Sequence, residues 1–292
     1  MKIFSASEEE AFESPPVFNS AERKRFFSLP HGLSDAAAAL RTPTNRVRFI
    51  LAAGYFKARH KFSNRLVHAA DIGFVAAQLG VPAEDVNLAE HHKGTYARHQ
   101  RLILDYFGYR PFDEIAKTRI AEEIARLVAV QVRPRKVLLE AIDVLTAKKI
   151  EIPTYNLLAN LIVAAMDQRQ QALSDIIESS LTQSQREKLD ALLEKAPVDG
   201  EEDGWRYRLT LLKKPYQSTK PAKIKANLID QQSLQALYLD LHPVVERLGL
   251  SYGSIRYYAY SVIKSQIPQV SRRSDEDRYL HLITSSSTRR IN

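Results

Sequence analysis

Cysteine does not occur among the 292 residues, so no disulfide, thiolate zinc site or cysteine nucleophile can arise from this chain. Glycine is scarce at ten residues, and apolar residues recur three and four apart instead of alternating. Together these read as a nearly all-helical protein. Long apolar runs are missing too: the longest, residues 157–166, is too short to cross a bilayer and is interrupted by Asn160. The chain starts acidic, at Ser7-Glu8-Glu9-Glu10, where a signal peptide would be basic and then apolar. The resulting expectation is a cytoplasmic, nucleoid-associated protein without membrane attachment. Local enzyme signatures are also absent: no Gly-x-x-x-x-Gly-Lys loop, Gly-x-Ser-x-Gly elbow, His-Glu-x-x-His helix or Gly-x-Gly-x-x-Gly turn. A site assembled from distant carboxylates stays open, yet the balance moves away from catalysis.

What is present is the composition of an ordinary globular chain, 45% hydrophobic and 26% charged, long enough for two or three domains. Its charge is lopsided. Residues 205–292 hold fifteen Lys and Arg against six Asp and Glu, a surplus of +9, whereas residues 1–204 net −1. Such asymmetry bears on partners more than on fold. Finer blocks follow: residues 1–18 net −3, 19–110 net +7, and 111–204 net −5. They suggest a flexible acidic tail over 1–18 and three helical modules at 19–115, 116–196 and 205–283. The acidic, glycine-bearing stretch 197–204 is the linker, and 284–292 is a disordered polar tail.

Local signals give the helices. Asn19 or Ser20 caps a helix through Phe27 with Glu22 in its first turn, and Pro43-Thr44 opens the next. Val47, Ile50, Leu51 and Tyr55 share one face, as do Ile120, Ile124, Leu127, Val128 and Val132. Residues 205–212 alternate briefly but have no evident partner strand, so a short helix is expected there.

The candidate functional residues are basic. Tyr257-Tyr258-Ala259-Tyr260 lies beside Arg256 and Lys264, which suits a polyanion, and equally an amphipathic surface helix. Arg135 and Lys136 follow Pro134 in the first turn of a helix, where the dipole disfavours positive charge, so a phosphate partner or a solvated face is implied. A following helix near Pro153 would put Thr154, Tyr155 and Asn156 at the groove-facing end of a helix-turn-helix-like bundle, although many small bundles share this spacing. Lys213, Lys214, Lys220, Lys223 and Lys225 form the densest positive run, with Arg272 and Arg273 downstream, and phosphate contact is expected of them. Glu90-His91-His92 with His99 could suggest a metal, but adjacent histidines on a helix point about 100° apart. With Lys93, Arg98 and Arg101 alongside, the cluster reads as a polar face toward phosphate. Asp275-Glu276-Asp277 reads as the acidic first turn of a helix capped by Ser274. No catalytic residue, metal or cofactor is expected.

An ordered set of phrases runs from Ser20-Ala21-Glu22-Arg23 and Leu29-Pro30 through Asn45-Arg46 to Gly73-Phe74 and Gly80-Val81-Pro82. It continues with Arg98-His99-Gln100, Phe107-Gly108-Tyr109-Arg110-Pro111-Phe112, Pro134-Arg135, Ile152-Pro153 and Leu181-Thr182. Ile255-Arg256-Tyr257-Tyr258 and Ser271-Arg272-Arg273-Ser274-Asp275, then Arg278-Tyr279-Leu280, complete it. This order resembles the N-terminal, DNA-binding region of the replicative transposases of the Tn-three family. The resemblance implies a helical region that binds the terminal inverted repeats of a transposon. It also implies a metal-binding Asp-Asp-Glu triad in a far C-terminal region that this chain does not reach. After Ile283 the polar stretch Thr284-Ser285-Ser286-Ser287-Thr288 departs from the pattern and is expected not to pack.

The expected function is sequence-specific binding of double-stranded DNA at terminal inverted repeats, without catalysis by this chain alone. Arg46 and Arg48 join the residues above as expected phosphate contacts, and Arg135→Ala is expected to weaken binding. The chain itself or a full-length transposase is a further expected partner. The rivals are a freestanding DNA-binding regulator of transposition, a metal enzyme, and a helical protein-interaction scaffold using the acidic middle module.

Overall fold

The computed structural model describes residues 2–63, 67–87, 93–197, 205–210 and 220–288. Its helices begin where the sequence supplies caps. Ser5 and Glu8 close a capping box at the start of α1 (Ala6–Glu13), and Asn19 with Glu22 does the same for α2 (Ser20–Phe27). After α3 (His31–Ala38), Thr42 accepts the Asn45 amide at 3.3 Å and Pro43 occupies the first turn of α4 (Pro43–Arg59). Then come α5 (Ala69–Gln78) and α6 (Lys93–Phe107). The fold is all-α. Among the described residues no helix is long and apolar enough to cross a membrane.

By Cα proximity the chain forms two compact units, Met1–Ala125 with Arg133–Val163, and Arg126–Val132 with Ala164–Asn292. These boundaries differ from the modules read by charge. Most of the linker, residues 198–204, lies outside the described residues.

The first unit is built around α4. Val47, Phe49, Ile50, Leu51, Ala53, Tyr55 and Phe56 are all buried, so this helix is surrounded by α2, α3, α5 and α6. Gly54 lets the Phe27 ring lie directly on the α4 backbone. One buried charge is fully paired: Asp71 accepts from Arg23 Nε and from the Tyr55 hydroxyl, each at 2.7 Å, as burial requires. Three helices then follow: α7 (Glu114–Val130), α8 (Pro134–Ala147) and α9 (Tyr155–Ser180). Two helix ends close in the same way. At Gly108 (φ 68°) the Tyr109 amide returns to Leu104 O, and at Lys149 (φ 51°) the Ile150 amide returns to Leu145 O. Both are Schellman closures. The exits pair in parallel, Arg110 N on Lys149 O at 2.8 Å and Glu151 N on Arg110 O at 2.9 Å. The link between α8 and α9 is therefore a bonded strut rather than a tight turn.

The N-terminal segment corrects the expectation of a flexible tail. Ile3, Phe4 and Phe18 are buried, and Phe4 stacks on Tyr155 with ring centroids 5.3 Å apart and 5° between planes.

In the second unit, α10 (Gln183–Ala191) leads to a ribbon in which β1 (Lys195–Pro197) pairs antiparallel with β2 (Trp205–Tyr207). The partner strand invisible to local reading was β1, so the short helix expected at 205–212 is a strand at its start. Beyond it lie α11 (Pro221–Leu248), α12 (Tyr252–Lys264), α13 (Ile267–Ser271) and α14 (Asp275–Thr288). The polar ending expected to stay unpacked is, through Thr288, the end of α14. Thr284, Ser285, Ser286 and Ser287 are buried. Each hydroxyl donates to a carbonyl of its own helix, for example Thr284 to Leu280 O and Ser285 to His281 O, both at 2.8 Å. Satisfied internally, these side chains behave as small packing groups, and α14 sits against α10, α11 and α12.

Candidate nucleic-acid interface

Helix α12 shows two sharply different faces. Ser254, Ala259 and Val262 are buried, and Tyr258 turns inward with its ring edge-on to His281 at 5.2 Å. Burial raises the Tyr258 hydroxyl above the ordinary tyrosine range. Outward stand Tyr252, Arg256, Tyr257, Tyr260, Ile263 and Lys264, all exposed. Four of these, Tyr252, Arg256, Tyr260 and Lys264, recur every fourth residue and so form one ladder along the helix. Arg256 lies over the Tyr252 ring at 5.7 Å and Lys264 over the Tyr260 ring at 4.7 Å. Each ring holds a cation in place, and the helix contains no acidic residue to compete for it. Arg256, Tyr257, Tyr260 and Lys264 were expected from the sequence and Tyr252 was not, although the fourfold spacing was visible.

Other expected contacts divide into available, committed and undescribed. Arg98 and Arg101 are exposed one turn apart on α6, while His99 between them is buried edge-on to Phe49 at 5.3 Å. Lys136, Lys220, Lys225 and Arg272 are exposed. Arg46 is half-buried and donates from Nε to Leu40 O at 2.9 Å; Arg48 is half-buried as well. Lys213 and Lys214 lie outside the described residues, as do His91, His92 and the side chains of Lys93 and Lys223.

Three expectations are corrected. Arg135 does not stand uncompensated at the start of α8: Glu8 pairs with it at 2.5 Å, and its guanidinium lies over the Phe4 ring at 5.4 Å. The Ser5 amide and then Arg135 hold the Glu8 carboxyl down at about 2. Tyr155 is buried under Phe4, its hydroxyl accepting the Phe4 amide at 3.0 Å, so it is not a groove-facing residue here. Thr154 beside it is half-buried, and Asn156 alone of the three is exposed. Arg273 is held within the second unit by Ser261 Oγ at 2.9 Å and Asp277 at 3.7 Å, so it is not free to track a DNA backbone.

The acidic turn of α14 is structural. Asp275 pairs with Arg278 at 3.0 Å, and Asp277 faces Arg273 and His281. Among the described residues no group of three or more His, Asp or Glu is placed to hold a metal ion.

No curated protein matches the chain. Residues 3–165 match the family described as Domain of unknown function (DUF4158). The match takes in the docked N-terminal segment, the α4 core and the start of α9, more than half of the chain, which therefore belongs to the DUF4158 family.

Proposed function

We propose that the chain binds double-stranded DNA as the end-recognition part of a replicative transposase of the Tn-three family. In this reading it engages terminal inverted repeats and leaves strand transfer to a region outside this chain. The observation that carries the DNA reading is the α12 ladder: exposed cations held on exposed rings, on a helix face free of acids. Arg and Lys neutralise phosphate and release counterions, and the rings add contact area against sugar and base edges. The transposase part is supported by membership of the DUF4158 family, whose domain is found in transposases of the Tn-three family. Arg98 and Arg101 on α6, Lys220 at the N-cap of α11 and Lys225 within that helix supply further exposed positive charge.

The test is an Arg256→Ala/Lys264→Ala double variant, titrated against a labelled duplex across a salt series. Two lost phosphate contacts lower the slope of log K against log salt by about 2 and weaken every duplex to a similar degree. An unchanged slope and affinity would remove α12 from the interface.

A further inference from the structure

Residues 2–14 meet the body of the first unit at a set of cations and an aromatic ring, with Ile3 and Phe4 buried beside them. Glu8 pairs with Arg135. Glu13 bridges Lys61 Nζ at 2.7 Å and the Tyr155 amide at 2.5 Å. The Ala11 and Ser14 carbonyls accept from Arg59 at 2.7 and 3.3 Å. Phe4 covers both the Tyr155 ring and the Arg135 guanidinium, and Phe12 covers Lys61 at 4.6 Å. The segment is acidic, with Glu8, Glu9, Glu10 and Glu13 against Lys2. Beneath it lie three cations and a tyrosine, the chemistry that receives a phosphate backbone.

The attachment is also light. No residue of α1 is buried and the Glu8–Arg135 ion pair is open to solvent, which screens it, so the apolar hold of the segment rests on Ile3 and Phe4 ahead of α1. Downstream the chain is anchored firmly: Phe18 is in the core, and His68 Nε2 lies 3.2 Å from the Pro15 carbonyl. With Pro15 itself buried and anchored, the segment releases ahead of it, at Ser14, and leaves the α4 packing in place.

We propose that residues 2–14 are an acidic clasp occupying a nucleic-acid surface formed by Arg59, Lys61, Arg135 and Tyr155, and that a DNA backbone displaces it. This deepens the DNA reading and rests on it for the ligand, but it concerns a surface separate from α12. The clasp mimics phosphate, so it selects against weak polyanions and yields to a duplex that is already held elsewhere on the chain.

Phe4→Ala tests this in the full chain, because it loosens the clasp and changes no charge. Affinity for a labelled inverted-repeat duplex is expected to rise about threefold or more, and amide exchange in residues 2–14 to quicken while α4 stays protected. Adding Arg135→Ala to Phe4→Ala removes the gain. Glu8→Gln, which cannot disturb the core, is expected to tighten binding more than the charge-matched Glu10→Gln. An unchanged affinity of Phe4→Ala, a gain that survives Arg135→Ala, or equal effects of the two glutamate variants would each overturn the clasp. A gain in Phe4→Ala alongside no effect of the α12 double variant would keep the clasp and sink the α12 interface.

Discussion

An alanine at position 54 is expected to destabilise the first unit, although alanine favours helix over glycine. A Cβ there would stand 2.4 and 2.6 Å from two Phe27 ring carbons and 3.2 Å from the Phe26 carbonyl oxygen, against 3.4–4 Å for ordinary contact. Phe27 is only 2% exposed and packs against Phe18, Tyr55 and Phe74, so its ring has nowhere to move. Overpacking of this kind costs about 2–3 kcal/mol, partly offset by about 1 kcal/mol of helix propensity, leaving a net loss of about 1–2 kcal/mol. For a unit of this size the melting temperature falls by about 2–8 °C, read by calorimetry or by exchange of α4 amides. Gly73 on α5 is the control, since nothing lies within 4 Å of its Cβ position. Gly73→Ala should stabilise by about 0.5–1 kcal/mol. Phe27→Leu should relieve part of the Gly54→Ala penalty, a coupling that distant sites lack. If Gly54→Ala stabilised the protein as Gly73→Ala does, the packing of α2 on α4 would be wrong.

Two other predictions concern charge. Burial lowers the His281 imidazole below its ordinary value of 6.5, against the opposing pull of Asp277. The unfolded chain then takes up a proton that the folded unit refuses, so the second unit loses stability as pH falls below about 6.5. Exchange of α14 amides should quicken between pH 7.5 and 5.5 and do so less in His281→Gln; an identical pH response would refute this. The Glu8 carboxyl, held at about 2 first by the Ser5 amide and then by Arg135, keeps its grip above the ordinary carboxylate range and loses it as pH falls through about 2. Arg135→Ala should raise its midpoint, followed by carboxyl NMR, only part of the way toward 4.5, because the capping box remains. A full return to 4.5 would mean that the cap does not form.

The helix starts were legible because their signals are local: Asn19 with Glu22, Pro43 at the opening of α4, and Ser274 before the acids of α14 all lie within one turn of the end they mark. Charge blocks served less well as boundaries, since net charge governs partners and leaves packing free. The pairings that changed the site were long-range. Arg135 looked uncompensated because Glu8 lies 127 residues away, and Tyr155 looked exposed because Phe4 lies 151 away. The serines of α14 looked unable to pack because their bonds to their own helix carbonyls leave no mark on composition. On α12 the fourfold ladder was fully written in the sequence, and only the inward turn of Tyr258 needed the structure.

The most direct test of the central claim is fluorescence-anisotropy binding of the full chain to the inverted repeat flanking its gene, against a scrambled duplex, across a salt series. The account predicts a preference of about 10³-fold or more for the repeat, with affinity falling steeply as salt rises. Equal affinity for both duplexes would contradict end recognition, and no binding at low salt would contradict the DNA reading itself.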